Sequence, residues 1–194
     1  MKKLLSLLFI IVLSANFCSC SKNNVPPPSE EQIKSICELA TLKCYYNNVA
    51  KGTKNKGTGW QHLLEKDREF WVEYEGYAKI GVKMDLVSMK IDEENIKITM
   101  PPSEILEIGI NEKTLNENSY TISEDSFWNK NSISPEEQQK AINDTQKEME
   151  ETVLKNKVLF EKADQEAKIV IESYIKNLGK LSGKTYNITW KKSK

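Results

Sequence analysis

The feature that most constrains the fold is a strict alternation of apolar and polar residues between positions 70 and 82. The apolar side consists of Val72, Tyr74, Ala78, Ile80 and Val82, and the other side of Glu73, Glu75, Tyr77 and Lys79. A period of two over this length predicts one long strand with one buried face and one solvated face. Gly76 and Gly81 lie within this stretch and predict a bulge or a bend.

Shorter alternating segments predict the remaining strands. They are residues 40–52, Val87 to Ile91, Ile96 to Met100, Leu106 to Ile110 and Tyr186 to Trp190. The sequence "DEEN" at 92–95 predicts a hairpin with a four-residue connection, and Pro101-Pro102 ends the strand that follows. Together these segments predict an antiparallel, meander-like sheet with one apolar face, to which the last strand returns.

A short helix is predicted before the first strand. Ser29 is followed three residues later by Gln32, which is the spacing of a capping box, and Glu30 and Glu31 are acidic residues in the first turn. We expect this helix to extend to about Glu38.

A much longer helix is predicted near the C-terminus. Ser134, Pro135 and Glu137 are typical of a helix start, and Gly179 is typical of a helix end. An interruption is expected near 155–158. The apolar positions 142, 149, 153, 160, 163, 167, 170, 171, 174 and 178 lie broadly on one side. We expect this side to cover the sheet, which makes residues 31–194 a single α+β domain; pairing with a partner or with a second copy is the alternative.

The start of the chain has the organisation of a secretory signal. Lys2 and Lys3 precede an apolar run of ten residues, "LLSLLFIIVL", at positions 4–13. A membrane-spanning helix needs about 20 apolar residues, so this run is too short to span a bilayer and has the length of a signal-peptide core. We expect residues 1–19 to be a signal peptide, with a buried N-terminal helix as the alternative.

A cysteine after the apolar run predicts a lipid anchor. Cys20 follows the small residue Ser19, and the stretch resembles the lipobox of bacterial lipoproteins, in which a diacylglyceryl group alkylates the thiol before cleavage. Phe17 and Cys18 depart from the usual leucine and small residue at those positions. We expect residues 20–30 to be the lipidated cysteine and a proline-rich tether, with the membrane as partner. The alternative is a free secreted protein.

Two further cysteines, Cys37 and Cys44, belong to the expected mature chain. An exported protein can join such residues in a disulfide. Both also lie among apolar residues, which is typical of small buried side chains. Both alternatives remain open at this point. The spacing matches no zinc pattern, and His62 is the one histidine, so we expect no metal site.

Charge and residue type argue against several functions. The 28 basic and 28 acidic residues balance and are interleaved, whereas nucleic acid binding needs concentrated cationic patches. Arg68 is the only arginine, the residue best suited to phosphate and carboxylate groups. The sequence has no nucleophile elbow and no glycine-rich phosphate loop. We therefore expect no nucleic acid partner, no cofactor and no catalytic residue.

Four segments occur in order within about residues 33–190. They read "ELATLKCYYNNV", "WVEYEGYAKIGVKM", "IKITMPPSEIL" and "AKIVIESYIKNLGKLSGKTYNITW". Together they resemble the bacterial family called domain of unknown function 4230. The resemblance implies a single α+β domain that is often exported or membrane-tethered, and it supplies no catalytic residues.

These expectations favour a lipid-anchored protein on the outer face of a bacterial cell membrane that binds or scaffolds partners without catalysis. Two alternatives come from other classes. One is a cell-envelope hydrolase that acts on glycan or peptide through carboxylates such as Glu73, Glu75 or Asp85. The other is a scaffold that assembles, or binds a protein partner, through the long helix at residues 134–178.

Overall fold

The computed structural model describes residues 25–123 and 130–193. The expected signal peptide, Cys20 and the tether up to residue 24 lie outside these ranges. The elements are α1 (Glu30–Leu39), β1 (Leu42–Lys54), β2 (Arg68–Gly81), β3 (Ser88–Asp92), β4 (Asn95–Met100), β5 (Glu104–Ile110), β6 (Tyr120–Ile122), α2 (Pro135–Lys155), α3 (Lys157–Ser182) and β7 (Asn187–Lys192). The predicted α+β class, with a short first helix and a C-terminal strand, is confirmed.

β2 is the central strand of a four-stranded antiparallel sheet, here called the large sheet. It pairs with β1 along all thirteen residues of that strand. Its other edge pairs with β5 at one end and, through Phe70–Val72, with β6 at the other. Burial alternates along β2 as predicted, and the register against β5 shifts between Lys79 and Ile80, next to the irregularity predicted at Gly81.

The strands β3, β4 and β7 form a separate small sheet. In it β3 and β4 are antiparallel, whereas β4 and β7 are parallel. The strands therefore divide into two sheets, whereas the sequence predicted that the last strand returns to a single one. Alternation of apolar and polar residues identifies which side of a strand is buried, but it does not identify the strand with which it pairs. A parallel neighbour needs a long crossover, which α2 and α3 provide.

The β3–β4 hairpin is tighter than predicted. Asp92 and Asn95 pair at the end of the ladder, which leaves Glu93 and Glu94 as the turn. Glu93 has a φ of 52°, which tight two-residue hairpin turns require. The predicted four-residue connection is wrong because aspartate and asparagine, which are common in turns, here form the last cross-strand pair.

The long C-terminal helix is divided into α2 and α3 at Asn156, within the predicted interruption. The capping boxes predicted at Ser29 and Ser134 are both present. In each, the serine hydroxyl accepts a hydrogen bond from a backbone N–H that has no partner within the helix. The sequence therefore defines both helix starts through local hydrogen bonding.

The end of α3 differs from the prediction. The helix continues past Gly179 to Ser182, and Gly183 caps it with a φ of 67°. Gly179 is instead buried inside the helix, where a Cβ would lie 2.6 Å from the carbonyl oxygen of Lys184. This glycine permits a close approach of the chain that leaves the helix, so its small size serves packing and not capping.

The two long helices cover one face of each sheet. Against the large sheet lie Ala141, Ile142, Met149 and Val153 of α2 and Ala163 of α3, and against the small sheet and α1 lie Ala167, Ile171 and Ile175 of α3. The predicted apolar stripe thus packs within the chain. Because α3 contributes to both sets, it joins the two sheets into one packed body.

The packing of α3 can be tested with two isoleucines on the same helix. Ile171 is fully buried, whereas Ile169 is 49% exposed. We expect Ile171→Ala to lower the free energy of unfolding by about 2–5 kcal/mol, because it removes buried methyl groups and leaves a cavity. The matched change Ile169→Ala should lower the free energy of unfolding by about 0.5 kcal/mol or less. Urea unfolding followed by circular dichroism measures both, and equal losses would contradict the orientation of α3.

Candidate binding surface

In residues 25–123 and 130–193, no helix packs on the side of the large sheet that faces away from α2 and α3, and we call this side the open face. It consists of Lys43, Tyr45, Asn47, Val49 and Lys51 of β1, of Trp71, Glu73, Glu75, Tyr77 and Lys79 of β2, and of Glu107 and Gly109 of β5. These residues alternate with the buried residues of the same strands, so the pleat of the sheet presents them on one side.

Two tyrosines, Tyr45 and Tyr77, pack together on the open face near the end of the large sheet that includes β5, and we call this pair the aromatic centre. Tyr45 and Tyr77 are directly opposite in the β1–β2 ladder, and their ring centroids lie 6.5 Å apart with the planes inclined by 59°. The ammonium group of Lys43 lies 4.0 Å from the ring centroid of Tyr77 and 5.0 Å from that of Tyr45, which is within the range of cation–π attraction. Tyr45 is still 56% exposed, so much of its surface is accessible to a partner.

A glycine and a carboxylate hold Tyr77 in place. Gly109 is opposite Tyr77 in β5, and a Cβ there would lie 2.4 Å from Tyr77 Cζ, so the ring lies directly over the glycine backbone. The Glu107 carboxylate accepts hydrogen bonds from the Lys79 ammonium and the Tyr77 hydroxyl, and these bonds lower the pKa of Glu107. The same contact with Glu107 raises the pKa of Tyr77. The aromatic centre is therefore ordered before any partner binds.

A polar groove of about 480 Å³ adjoins the aromatic centre. It lies where one edge of β2 has no strand neighbour, between the segments of that edge that pair with β5 and with β6; the other edge is paired with β1. Side-chain amides, hydroxyls and carboxylates line it, among them Asn47, Asn48, Glu73, Glu75, Thr114 and Asn116. Thr114 Oγ1 accepts a hydrogen bond from the Glu75 backbone N–H at 3.0 Å, so a side chain replaces the missing strand partner.

The structure brings together two of the three carboxylates considered for hydrolysis. Glu73 and Glu75 both line the polar groove, whereas Asp85 lies on a separate turn, Met84–Leu86. Glu73 is exposed, and Glu75 Oε1 accepts a hydrogen bond of 2.7 Å from Asn111 Nδ2. An apolar setting or a second carboxylate nearby favours the protonated form that a general acid needs. Glu73 and Glu75 lie among side-chain amides and hydroxyls, which suit polar contacts with a ligand.

Several residues of the open face could not be assigned from the sequence. The alternation predicted the outward direction of Tyr77 and Lys79, but not that Tyr45, Lys43 and Gly109 are their neighbours. The only available signal was the loose alternation in residues 40–52. Without the register of β1 against β2, that signal does not tell which residues face each other.

Cys37 and Cys44 lie in different core clusters. Cys37 is fully buried against α3 and the small sheet, and Cys44 is half-buried on the helix side of β1. Both are free thiols in this structure, and a disulfide between them remains a prediction. Burial raises the pKa of Cys37 to about 11 and also raises the pKa of Cys44. Within residues 25–123 and 130–193, no group of three or more His, Cys, Asp or Glu could hold a metal ion.

A model of the family of proteins of unknown function DUF4230 matches residues 31–184. The chain belongs to the DUF4230 family. This match confirms the resemblance carried by the four sequence segments. No curated protein and no solved structure matches this DUF4230 chain. Among the helices in the described ranges, none is long and apolar enough to cross a membrane.

The burial of Cys37 predicts a thiol that does not react until the protein unfolds. The thiolate is the reactive form, and a pKa of about 11 leaves very little of it at pH 8. We expect iodoacetamide to alkylate Cys37 in urea but not in buffer, as measured by mass spectrometry of the peptides. Rapid alkylation of the native protein would contradict the packing of α1. A Cys37–Cys44 linked peptide in an unreduced sample would instead establish the disulfide.

Proposed function

We propose that this DUF4230 protein is a lipid-anchored extracytoplasmic binding module whose open face binds a protein partner. The observation that carries the proposal is the aromatic centre on a sheet face that no helix covers in the part of the chain that the structure describes. An uncovered, preorganised surface loses little conformational entropy on association, so it suits binding.

The composition of the open face supports a protein as the partner. Tyrosine and tryptophan are enriched at the centres of protein interfaces, and charged residues are more common at the rim. Lys43 and Glu107 contact the aromatic centre directly, and Lys51 and Glu73 lie further along the strands. A partner that buries the two rings would therefore meet charges of both signs around them.

The anchor is proposed from the sequence. Lys2 and Lys3, the apolar run at 4–13 and Cys20 together favour export and lipidation. Two acyl chains bind a bilayer stably because each buried methylene contributes roughly 0.8 kcal/mol. The polar, proline-rich residues up to 30 then separate the domain from the lipid.

The alternatives receive less support from the geometry. An apolar setting favours the protonated carboxyl group that a hydrolase uses as a general acid, and Glu73 and Glu75 lie in a polar groove. Assembly through the long helix needs an exposed apolar stripe, and the predicted stripe is largely packed on the sheets. Leu154 and Val158, next to the break between α2 and α3, remain exposed and are the residues through which a helix-bound partner would make contact.

Lipidation can be tested with two neighbouring cysteines. We expect cells fed a clickable fatty-acid analogue to label the wild-type protein and the Cys18→Ala variant. The Cys20→Ala variant should lose the label, because it lacks the sulfur that would carry the lipid. Gel fluorescence of the immunoprecipitated proteins measures the label. Retention of label in Cys20→Ala would show that the proposed anchor residue is wrong.

The open face can be tested by site-specific photo-crosslinking in intact cells. A photoreactive amino acid in place of Tyr45 should give one discrete covalent adduct, which Tyr77→Ala should reduce several-fold by disturbing the aromatic centre. The same amino acid in place of Gln139, an exposed residue of α2, is the matched control and should give no adduct. Equal adduct yields at both positions would contradict the proposed surface, and an adduct of twice the protein's mass would favour self-assembly.

A further inference from the structure

Three large apolar side chains project from the loop that joins β1 to β2, residues 55–67, here called the tip loop. Trp60 is 80% exposed, Leu63 is 81% exposed and Leu64 is 63% exposed. Single exposed apolar residues are common on protein surfaces, whereas a group of three within five residues is typical of a surface that binds another molecule. None of the three belongs to the core clusters of the protein.

The tip loop has a defined structure that directs its polar groups inward. Glu65 Oε2 accepts a hydrogen bond from the backbone N–H of Gly57 at 2.9 Å, and Glu65 Oε1 lies 2.8 Å from His62 Nδ1. These contacts lower the pKa of Glu65, first through the Gly57 N–H and then through His62. The backbone N–H of Lys56 donates to Asp67 Oδ1 at 2.7 Å. Hydrogen bonds to Glu65 and Asp67 thus stabilise the fold of the loop, and its three large apolar side chains remain exposed to solvent.

The chemistry of the tip loop fits the surface of a lipid bilayer. Tryptophan prefers the interface between headgroups and acyl chains, and leucine prefers the hydrocarbon beneath it. Within the loop, Lys56 and Lys66 balance Glu65 and Asp67, and the two carboxylates accept hydrogen bonds from the loop backbone. The loop carries no net charge, so its affinity for a bilayer comes from the apolar side chains and not from the charge of the headgroups.

The tip loop is also within reach of the membrane to which the protein would be tethered. Eight residues lie between Cys20 and Ser29, and even a fully extended chain spans at most about 30 Å from one to the other. The tip loop lies at the far end of β1, whose thirteen residues are about 40 Å long. The tether is shorter than β1, so the lipid and the loop can contact one bilayer together when β1 is inclined to the membrane and not perpendicular to it.

We propose that the tip loop is a second membrane contact, which inserts Trp60, Leu63 and Leu64 into the outer leaflet beside the lipid anchor. The inference rests on the proposed function in one respect, the presence of a bilayer next to the protein. Insertion of the loop would restrain the rotation of the domain about its tether and would give the open face a constant orientation toward its partner.

The test uses the full protein, purified from its own envelope and reconstituted into vesicles of phosphatidylethanolamine and phosphatidylglycerol with brominated acyl chains. Bromine quenches tryptophans that enter the acyl region. The emission of Trp60 is obtained as the difference between wild type and Trp60→Phe. We expect this emission to be quenched at least twofold more strongly than the emission of Trp71, which is obtained in the same way from Trp71→Phe. The matched control Trp71→Phe, on the open face, should leave the quenching of Trp60 unchanged.

A second variant tests the two leucines. Leu63→Glu combined with Leu64→Glu should reduce the quenching of Trp60 by at least half, because charged side chains resist insertion. Since both leucines are exposed, the urea midpoint should not change. An unchanged quenching of Trp60 in this variant would overturn the role given to the leucines.

Flotation of the same vesicles separates the two proposals. If the protein floats with the vesicles but Trp60 is not quenched, the anchor stands and the membrane contact of the tip loop is overturned. If Trp60 emission shifts to the blue without bromine quenching, a protein or a second copy covers the loop, and the proposal is again overturned. If the protein neither floats nor shows quenching, both proposals fail.

Discussion

The burial of one side of β2 against α2 and α3 is the interaction on which the rest of the large sheet depends. Val72, Ala78 and Ile80 are fully buried there, so rotation of the strand would expose them to water. Because β2 pairs with β1, β5 and β6, its orientation decides which side of all four strands faces the helices. The open face exists because the helices cover only one side of this sheet.

Much of the fold could be predicted because its signals are local. The alternation in β2, the capping boxes at Ser29 and Ser134 and the break near Asn156 depend on neighbouring residues. The pairing of β4 with β7 depends on residues far apart in the sequence, about which periodicity and capping contain no information. The end of α3 differs from the prediction for a local reason, because two glycines lie close together and only Gly183, not Gly179, adopts the positive φ of a helix cap.

The candidate binding surface could likewise be predicted only in part from the sequence. The outward position of Glu73, Glu75 and Tyr77 follows from the period of the strand. The contact of Tyr77 with Tyr45 and its position over Gly109 follow from the registers of two other strands. The exposure of Trp60 depends on how the tip loop folds around Glu65, a matter of side-chain hydrogen bonds that residue type alone does not define.

The parallel pairing of β4 with β7 has a consequence for the order of folding. Asn95 pairs with Asn187, which lies 92 positions later (187 − 95). One edge of β4 therefore stays without its native partner until nearly the whole chain has been synthesised, and closing so long a loop is slow. The β1–β2 hairpin, by contrast, needs only contiguous residues and can assemble early. A chain with this topology completes its small sheet last, after the large sheet has its strands.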